Sequence, residues 1–95
     1  EECLAYELKE RGLIVERQKD IKVEYENLII QKAFRVDLLV ENKLIIEIKA
    51  VPEINDYHFF QLFNYLRLTE MKLGMILNFH SMLLKNGVKI VVNKL

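Results

Sequence analysis

The chain has 95 residues, 52% of them hydrophobic, with 14 basic and 14 acidic residues and a formal net charge of +0. This length predicts one domain, residues 1–95, with a real but small core. A net charge of zero lacks the excess of basic residues that is typical of a dedicated nucleic-acid binder, although an acidic metal site would offset basic residues elsewhere in the chain. A single cysteine, Cys3, excludes an internal disulfide and favours a cytoplasmic location, and no apolar run is long enough to span a membrane.

The first predicted element is a helix over Glu1–Arg11, which lacks Gly and Pro and places Leu4 and Leu8 one turn apart. Gly12 is a natural C-terminal cap for it. In this pattern Cys3 is expected to be a small buried residue rather than a nucleophile. Because the chain opens inside this helix and without methionine, we expect the natural protein to extend upstream.

Short strand patterns follow the helix. Leu13–Val15 starts a short strand, Ile21–Tyr25 alternates apolar and polar residues, and Glu26-Asn27 is a turn before Leu28–Ile30. Two further apolar runs, residues 36–40 and 44–49, each contain an acidic residue.

The second half of the chain predicts a helix and two strands. Asn55 or Asp56 caps a helix that runs to about Thr69. Its apolar residues predict a broad buried stripe, consisting of Phe59, Phe60, Leu62, Phe63 and Leu66. Met71–Phe79 is a buried strand, Asn86-Gly87 is a turn, and Val88–Val92 is an edge strand carrying one charge, Lys89.

The expected fold is therefore α/β (α+β), a mixed sheet flanked by two helices in the order α-β-β-β-β-α-β-β. Its edge strand offers a surface through which two chains could pair as a homodimer.

Acidic residues interrupt the two apolar runs at Asp37 and at Glu47, and Lys49 follows two positions later. Because strand side chains alternate between faces, Glu47 and Lys49 point the same way, opposite an apolar face. On the preceding strand, Asp37 shares its face with Arg35 and Leu39, while Val36, Leu38 and Val40 lie opposite.

The length of the hairpin loop decides whether the two acids meet. A two-residue loop would put Asp37 and Glu47 on opposite faces. A three-residue loop, Glu41-Asn42-Lys43, pairs Val40 with Leu44 and keeps both apolar faces on one side, so burial favours it. This loop requires a left-handed conformation at Asn42 or Lys43 and places Asp37 beside Glu47.

Two adjacent carboxylates form a strongly negative site that suits a hard divalent cation, Mg²⁺ or Mn²⁺. The backbone carbonyl of Ile48 could supply a further ligand, and Lys49 could hold an attacking water or stabilise charge on a phosphoryl group. The alternative is an ion-pair lattice of Arg35, Asp37, Glu47 and Lys49 on a solvated face.

Four ordered segments carry a family resemblance: Glu1–Leu8, Arg35–Val40, Glu47–Val51 and Gln61–Leu66. Together they resemble the GxxExxY protein family, and Asp37 followed by Glu47-Ile48-Lys49 resembles the signature of the PD-(D/E)XK nuclease superfamily. The bare acid-and-lysine pattern is weakly specific, because charged strands are common, whereas the ordered set with its helical glutamine is fairly specific.

This resemblance implies a restriction-endonuclease-like core with Asp37 and Glu47 as metal ligands and Lys49 as the catalytic lysine. It also implies that Gln61 matches the helical glutamine of RecB-like members, accompanied by Tyr65 one turn later. The proline of the "PD" pair is Val36 here. The motif that names the GxxExxY family would lie upstream of residue 1, and we do not expect the acids of the first helix to replace its glutamate.

The remaining candidates have ordinary interpretations. His58 is expected to be a surface or structural histidine, and His80 a loop residue. We interpret the chain as a metal-dependent nuclease that hydrolyses phosphodiester bonds of nucleic acid, with DNA the favoured substrate. One alternative is a weak or inactive nuclease-fold module that binds nucleic acid or protein. Another is a structural domain whose acidic side chains form ion pairs with Arg35 and Lys49.

Overall fold

Two helices and five strands account for the regular structure of residues 1–80 and 87–94, the part of the chain that the computed structural model describes. In chain order they are α1 (Glu2–Glu10), β1 (Val15–Tyr25), β2 (Leu28–Val40), β3 (Leu44–Lys49), α2 (Asp56–Thr69), β4 (Leu73–Asn78) and β5 (Val88–Val92).

The strands form one mixed sheet in the order β1-β2-β3-β4-β5. Only β3 and β4 run parallel, because α2 provides the crossover between them; the other neighbours are antiparallel. The expected fold class, a mixed sheet flanked by two helices, is confirmed.

The strand count before α2 differs from the expectation of four, because the β1–β2 hairpin is longer than the apolar pattern suggested. Pairing runs from Val15 opposite Val40 to Tyr25 opposite Leu28, with one register shift between Ile21 and Val23. Three strands therefore precede α2. The charged middle of the hairpin stays in the sheet, since cross-strand pairing satisfies its backbone groups.

The helix ends follow the predicted caps. Helix α1 ends at Glu10 with Arg11 as its C-terminal cap, and Gly12 after it adopts the left-handed conformation at φ +85°. Asn55 caps α2 by accepting a hydrogen bond from the His58 backbone N–H, and the His58 ring accepts one from the Asn55 N–H. His58 thus has the structural role expected, whereas Cys3, expected to be buried, is exposed.

A separate apolar layer covers each sheet face. The layer under α1 contains Ala5, Val15, Leu38, Val40, Ile46 and Leu77. The layer under α2 contains Ile21, Val23, Val36, Leu39, Ile45, Leu62, Leu66 and Ile76. The expected grouping of Val36 with Leu38 and Val40 is therefore wrong. The acid-bearing face is itself apolar at Leu39 and Ile45, because α2 covers it.

Phe60 is 66% exposed rather than part of the buried stripe. Of the predicted Asn86-Gly87 turn, Asn86 lies outside the described residues. Neither helix in the described part is long and apolar enough to cross a membrane.

Candidate active site

The β2–β3 connection is the three-residue loop expected from burial. Val40 pairs with Leu44 and Leu38 with Ile46, while Glu41 and Asn42 both take φ of 54°. The left-handed conformation thus falls at Asn42, as expected, and also at Glu41. The paired residues end at Leu38 and Ile46, so Asp37 and Glu47 are the next residues of the two strands, and the charge of Asp37 acts directly on Glu47.

At Asp37 a side chain takes over from the backbone as the partner of β3. Beyond Leu38, the Asp37 carboxylate accepts the Ile48 backbone N–H at 2.7 Å. Within a strand, the N–H and C=O of one residue point toward the same neighbour, so the Ile48 carbonyl also faces this side. The Lys49 carbonyl, by contrast, faces β4 and accepts the Phe79 N–H at 2.9 Å. The carboxylate and one carbonyl therefore line the same opening at the end of β3.

Glu47 is buried beside Asp37, with only 6% of its surface exposed. Desolvation, followed by the negative charge of Asp37, raises the pKa of Glu47 to about 7, while the positive charge of Lys49 opposes the shift. Its Oε1 atom has no hydrogen-bond partner among the described residues. A buried carboxylate oxygen without a partner is costly and is an expected position for a cation.

Lys49 meets the second helix at Gln61, whose side-chain oxygen lies 3.4 Å from the Lys49 ammonium. Gln61 also lies near the Tyr65 hydroxyl, whose pKa is raised by burial and by the charge of Glu47. The Tyr65 ring is stacked on Phe34 of β2 at a centroid distance of 3.9 Å. The structure thus brings Gln61 and Tyr65 to the acids and the lysine.

The alternative ion-pair lattice does not form. Arg35 pairs with Asp20 on the neighbouring strand at 2.9 Å. Among the described residues, no ion pair within 4 Å engages Asp37, Glu47 or Lys49. Lys49 is therefore held by an amide and is not neutralised by a direct carboxylate contact.

Gln18 was missed by the sequence reasoning. Its side-chain amide lies 2.5 Å from the Glu1 carboxylate and 3.4 Å from that of Asp37, so it bridges α1 to the site. Its backbone is left-handed, with φ of 47°, and this conformation lets the side chain reach both carboxylates. The residue type gives no indication of it, because glutamine in a strand is normally extended. Glu1 is also fixed by Arg17 at 3.2 Å.

Asn78 is a second residue without a sequence signal. Buried at the end of β4, its side chain accepts the Val51 N–H at 3.1 Å and donates to the Val51 carbonyl at 2.8 Å. It also accepts the His80 N–H at 3.2 Å, within the expected loop. Because Asn78 pairs with Lys49 across the parallel strands, these bonds fix the chain directly after the lysine.

The donor set suits a hard divalent cation. It comprises two adjacent carboxylates, one of them with a buried oxygen that lacks a partner, and a carbonyl directed toward them. A third acidic, histidine or cysteine ligand is not present in the described part of the chain. A cavity of about 580 Å³ lies elsewhere, between β1 and the end of α2.

Comparison of the sequence with protein-family models identifies the superfamily of the chain. The model of the PD-(D/E)XK nuclease superfamily matches residues 1–91, and the chain belongs to that superfamily. The narrower GxxExxY family is not confirmed. No curated protein and no solved structure matched the chain. Membership supports a nuclease-type function with nucleic acid as the substrate, in a superfamily whose members generally use divalent metals.

Proposed function

We propose that the chain is a metal-dependent nuclease that hydrolyses phosphodiester bonds, with DNA as the first substrate to test. The observation that carries the proposal is the buried Glu47 carboxylate, which has a partnerless oxygen beside Asp37 and lies near a lysine that has no ion-pair partner within 4 Å in the described part. Superfamily membership over residues 1–91 supports the same chemistry.

Asp37, Glu47 and the Ile48 carbonyl would hold Mg²⁺ or Mn²⁺. The Ile48 N–H fixes the Asp37 carboxylate at 2.7 Å, so little rearrangement is needed for that ligand. Glu47 must be ionised to bind, which its raised pKa makes incomplete at neutral pH without a cation. When bound, the cation would polarise the phosphoryl group and lower the pKa of a coordinated water.

Lys49 would position the attacking water or stabilise negative charge on the phosphoryl oxygens. The contact with Gln61 at 3.4 Å restricts the ammonium group, and Gln61 itself lies near the Tyr65 hydroxyl. Gln61 would therefore orient the lysine, and also the substrate or a water. A lysine ammonium that is already oriented needs less reorganisation during the reaction than a freely moving one.

The test is cleavage of single- and double-stranded DNA and RNA with Mg²⁺ or Mn²⁺ by the unsubstituted chain and by Lys49→Ala. We expect Lys49→Ala to lower the rate roughly a hundredfold or more while leaving Mn²⁺ binding largely intact. Lys43→Ala, at an exposed lysine of the β2–β3 loop, is the matched control and should cleave normally.

Other outcomes would separate the alternatives. Metal binding without cleavage of any nucleic acid would favour an inactive module that retains the fold. Equal cleavage by Lys49→Ala and the unsubstituted chain would remove Lys49 from the mechanism. An absence of metal binding would refute the proposed metal dependence.

A further inference from the structure

The β5 edge carries apolar side chains on both of its faces. On the α1 side, Ile90 is 60% exposed and Val92 is 55% exposed. On the α2 side, Val91 lines an open groove of about 380 Å³ together with Phe59, Phe60, Phe63 and Asp56. A sheet edge that is apolar on both faces is a template for pairing with another strand.

The backbone of this edge is ready for such pairing. Bonds from Asn78 N–H to the Gly87 carbonyl, and from Asn93 N–H to the Lys72 carbonyl, direct the odd-numbered residues of this segment toward β4. The alternating strand pattern therefore directs the N–H and C=O groups of Val88, Ile90 and Val92 away from the described sheet.

The opposite edge of the sheet is unlike this one. Strand β1 carries charged residues at six of its eleven positions, and Gln18 interrupts it with a left-handed backbone. Charges and irregular backbone are the features by which edge strands avoid pairing. Strand β5 has only Lys89 and keeps regular pairing with β4 throughout Val88–Val92.

We propose that β5 is a self-association surface, on which a second copy of the chain adds its own β5 antiparallel about a two-fold axis at Ile90. In this register Ile90 lies opposite Ile90, and Val88 opposite Val92, of the second copy. These are the residues with outward backbone groups, so each opposing pair exchanges two hydrogen bonds. A two-fold contact of one surface with itself is also the commonest form of protein assembly.

Charge complementarity selects this occupant and this register. The pairing puts Lys89 of one copy directly opposite Val91 of the other, on the α2 face. Val91 lines the groove that also contains Asp56, so the lysine stem covers the Phe60 ring and the ammonium reaches toward Asp56. Each copy thus offers one cation and one anion to the other, and no like charges face each other directly.

The surface is distinct from the candidate active site. Strand β4 lies between β5 and β3, which carries Glu47 and Lys49. Self-association therefore does not require the proposed nuclease activity, and each can fail without the other.

Analytical ultracentrifugation over a range of chain concentrations tests the proposal. We expect a concentration-dependent species of twice the 11.3 kDa chain mass. Ile90→Lys places two cations on the axis and should weaken the dimer roughly a hundredfold. Leu28→Lys, at a strand residue that is 59% exposed on the hairpin tip, is the matched control and should leave the dimer unchanged.

A charge exchange tests the register separately. Lys89→Glu and Asp56→Lys should each weaken the dimer, and the double variant should restore it. A monomer at all concentrations, a dimer lost in Leu28→Lys but kept in Ile90→Lys, or a double variant no better than either single one would each overturn the proposal. Circular dichroism of every variant confirms that it is folded.

Discussion

Replacing Glu47 with glutamine should make the metal-free protein more stable at neutral and alkaline pH. In the folded chain, burial and the charge of Asp37 raise the pKa of Glu47 from 4.5 to about 7. Between these values the folded state holds a proton that the unfolded state has released. The stability associated with this group is therefore complete below pH 4.5 and is lost as the pH rises through 7.

The magnitude follows from the shift. At 1.36 kcal/mol per pKa unit, a rise from 4.5 to about 7 corresponds to about 3 kcal/mol of unfolding free energy. Glutamine occupies a similar volume and carries no charge at any pH, so Glu47→Gln avoids this loss. The stability advantage of the variant over the unsubstituted chain should grow by about 3 kcal/mol between pH 4.5 and 7.5.

Urea unfolding in the presence of a chelator, at several pH values across this range, measures the difference. Glu53→Gln, the same change at an exposed residue between β3 and α2, is the control and should show no such growth. A difference between Glu47→Gln and the unsubstituted chain that stays constant with pH would refute the argument that Glu47 is a buried, strained carboxylate.

Three further changes test the surroundings of the site by urea unfolding. Phe34→Leu removes the ring stacked on Tyr65 and should cost about 1 kcal/mol and slow cleavage; an unaltered rate would detach the stack from catalysis. Gly74→Ala puts a methyl group 3.0 Å from buried Leu62 side-chain atoms and should cost about 1–3 kcal/mol, so unchanged stability would contradict this packing. Asn78→Ala removes three hydrogen bonds to loop backbone and should lower the free energy of unfolding by about 2 kcal/mol. An unchanged free energy would show that these bonds do not stabilise the loop.

The meeting of the two acids could be predicted from sequence because only one loop length buries both apolar faces. That reasoning used alternation alone, and the observed pairing of Val40 with Leu44 agrees with it, although alternation failed at Val36, which packs under α2. The prediction that Asn55 or Asp56 caps α2 was similarly local, since it depended on one capping side chain, and Asn55 provides it. The structure brings the proposed ligands together, but their binding and catalytic roles stay predictions.

Features that depend on distant partners were not predictable in this way. The charged middle of the β1–β2 hairpin looked like a break between strands, yet Arg35 pairs there with Asp20 across the sheet. Helical periodicity placed Phe60 in the buried stripe, but it lies beside the sheet edge at Val91, where no further described strand covers it. Gln18 reaches the site through a left-handed backbone that its residue type does not indicate.

The central claim is that Asp37 and Glu47 together form a divalent-cation site, and titration calorimetry with Mn²⁺ tests it most directly. The unsubstituted chain should show one saturable site, with proton release near neutral pH because Glu47 must ionise. Asp37→Asn should abolish that site, whereas Asp20→Asn, at the partner of Arg35, should retain it. Binding that survives Asp37→Asn unchanged, or no binding by the unsubstituted chain, would contradict the account.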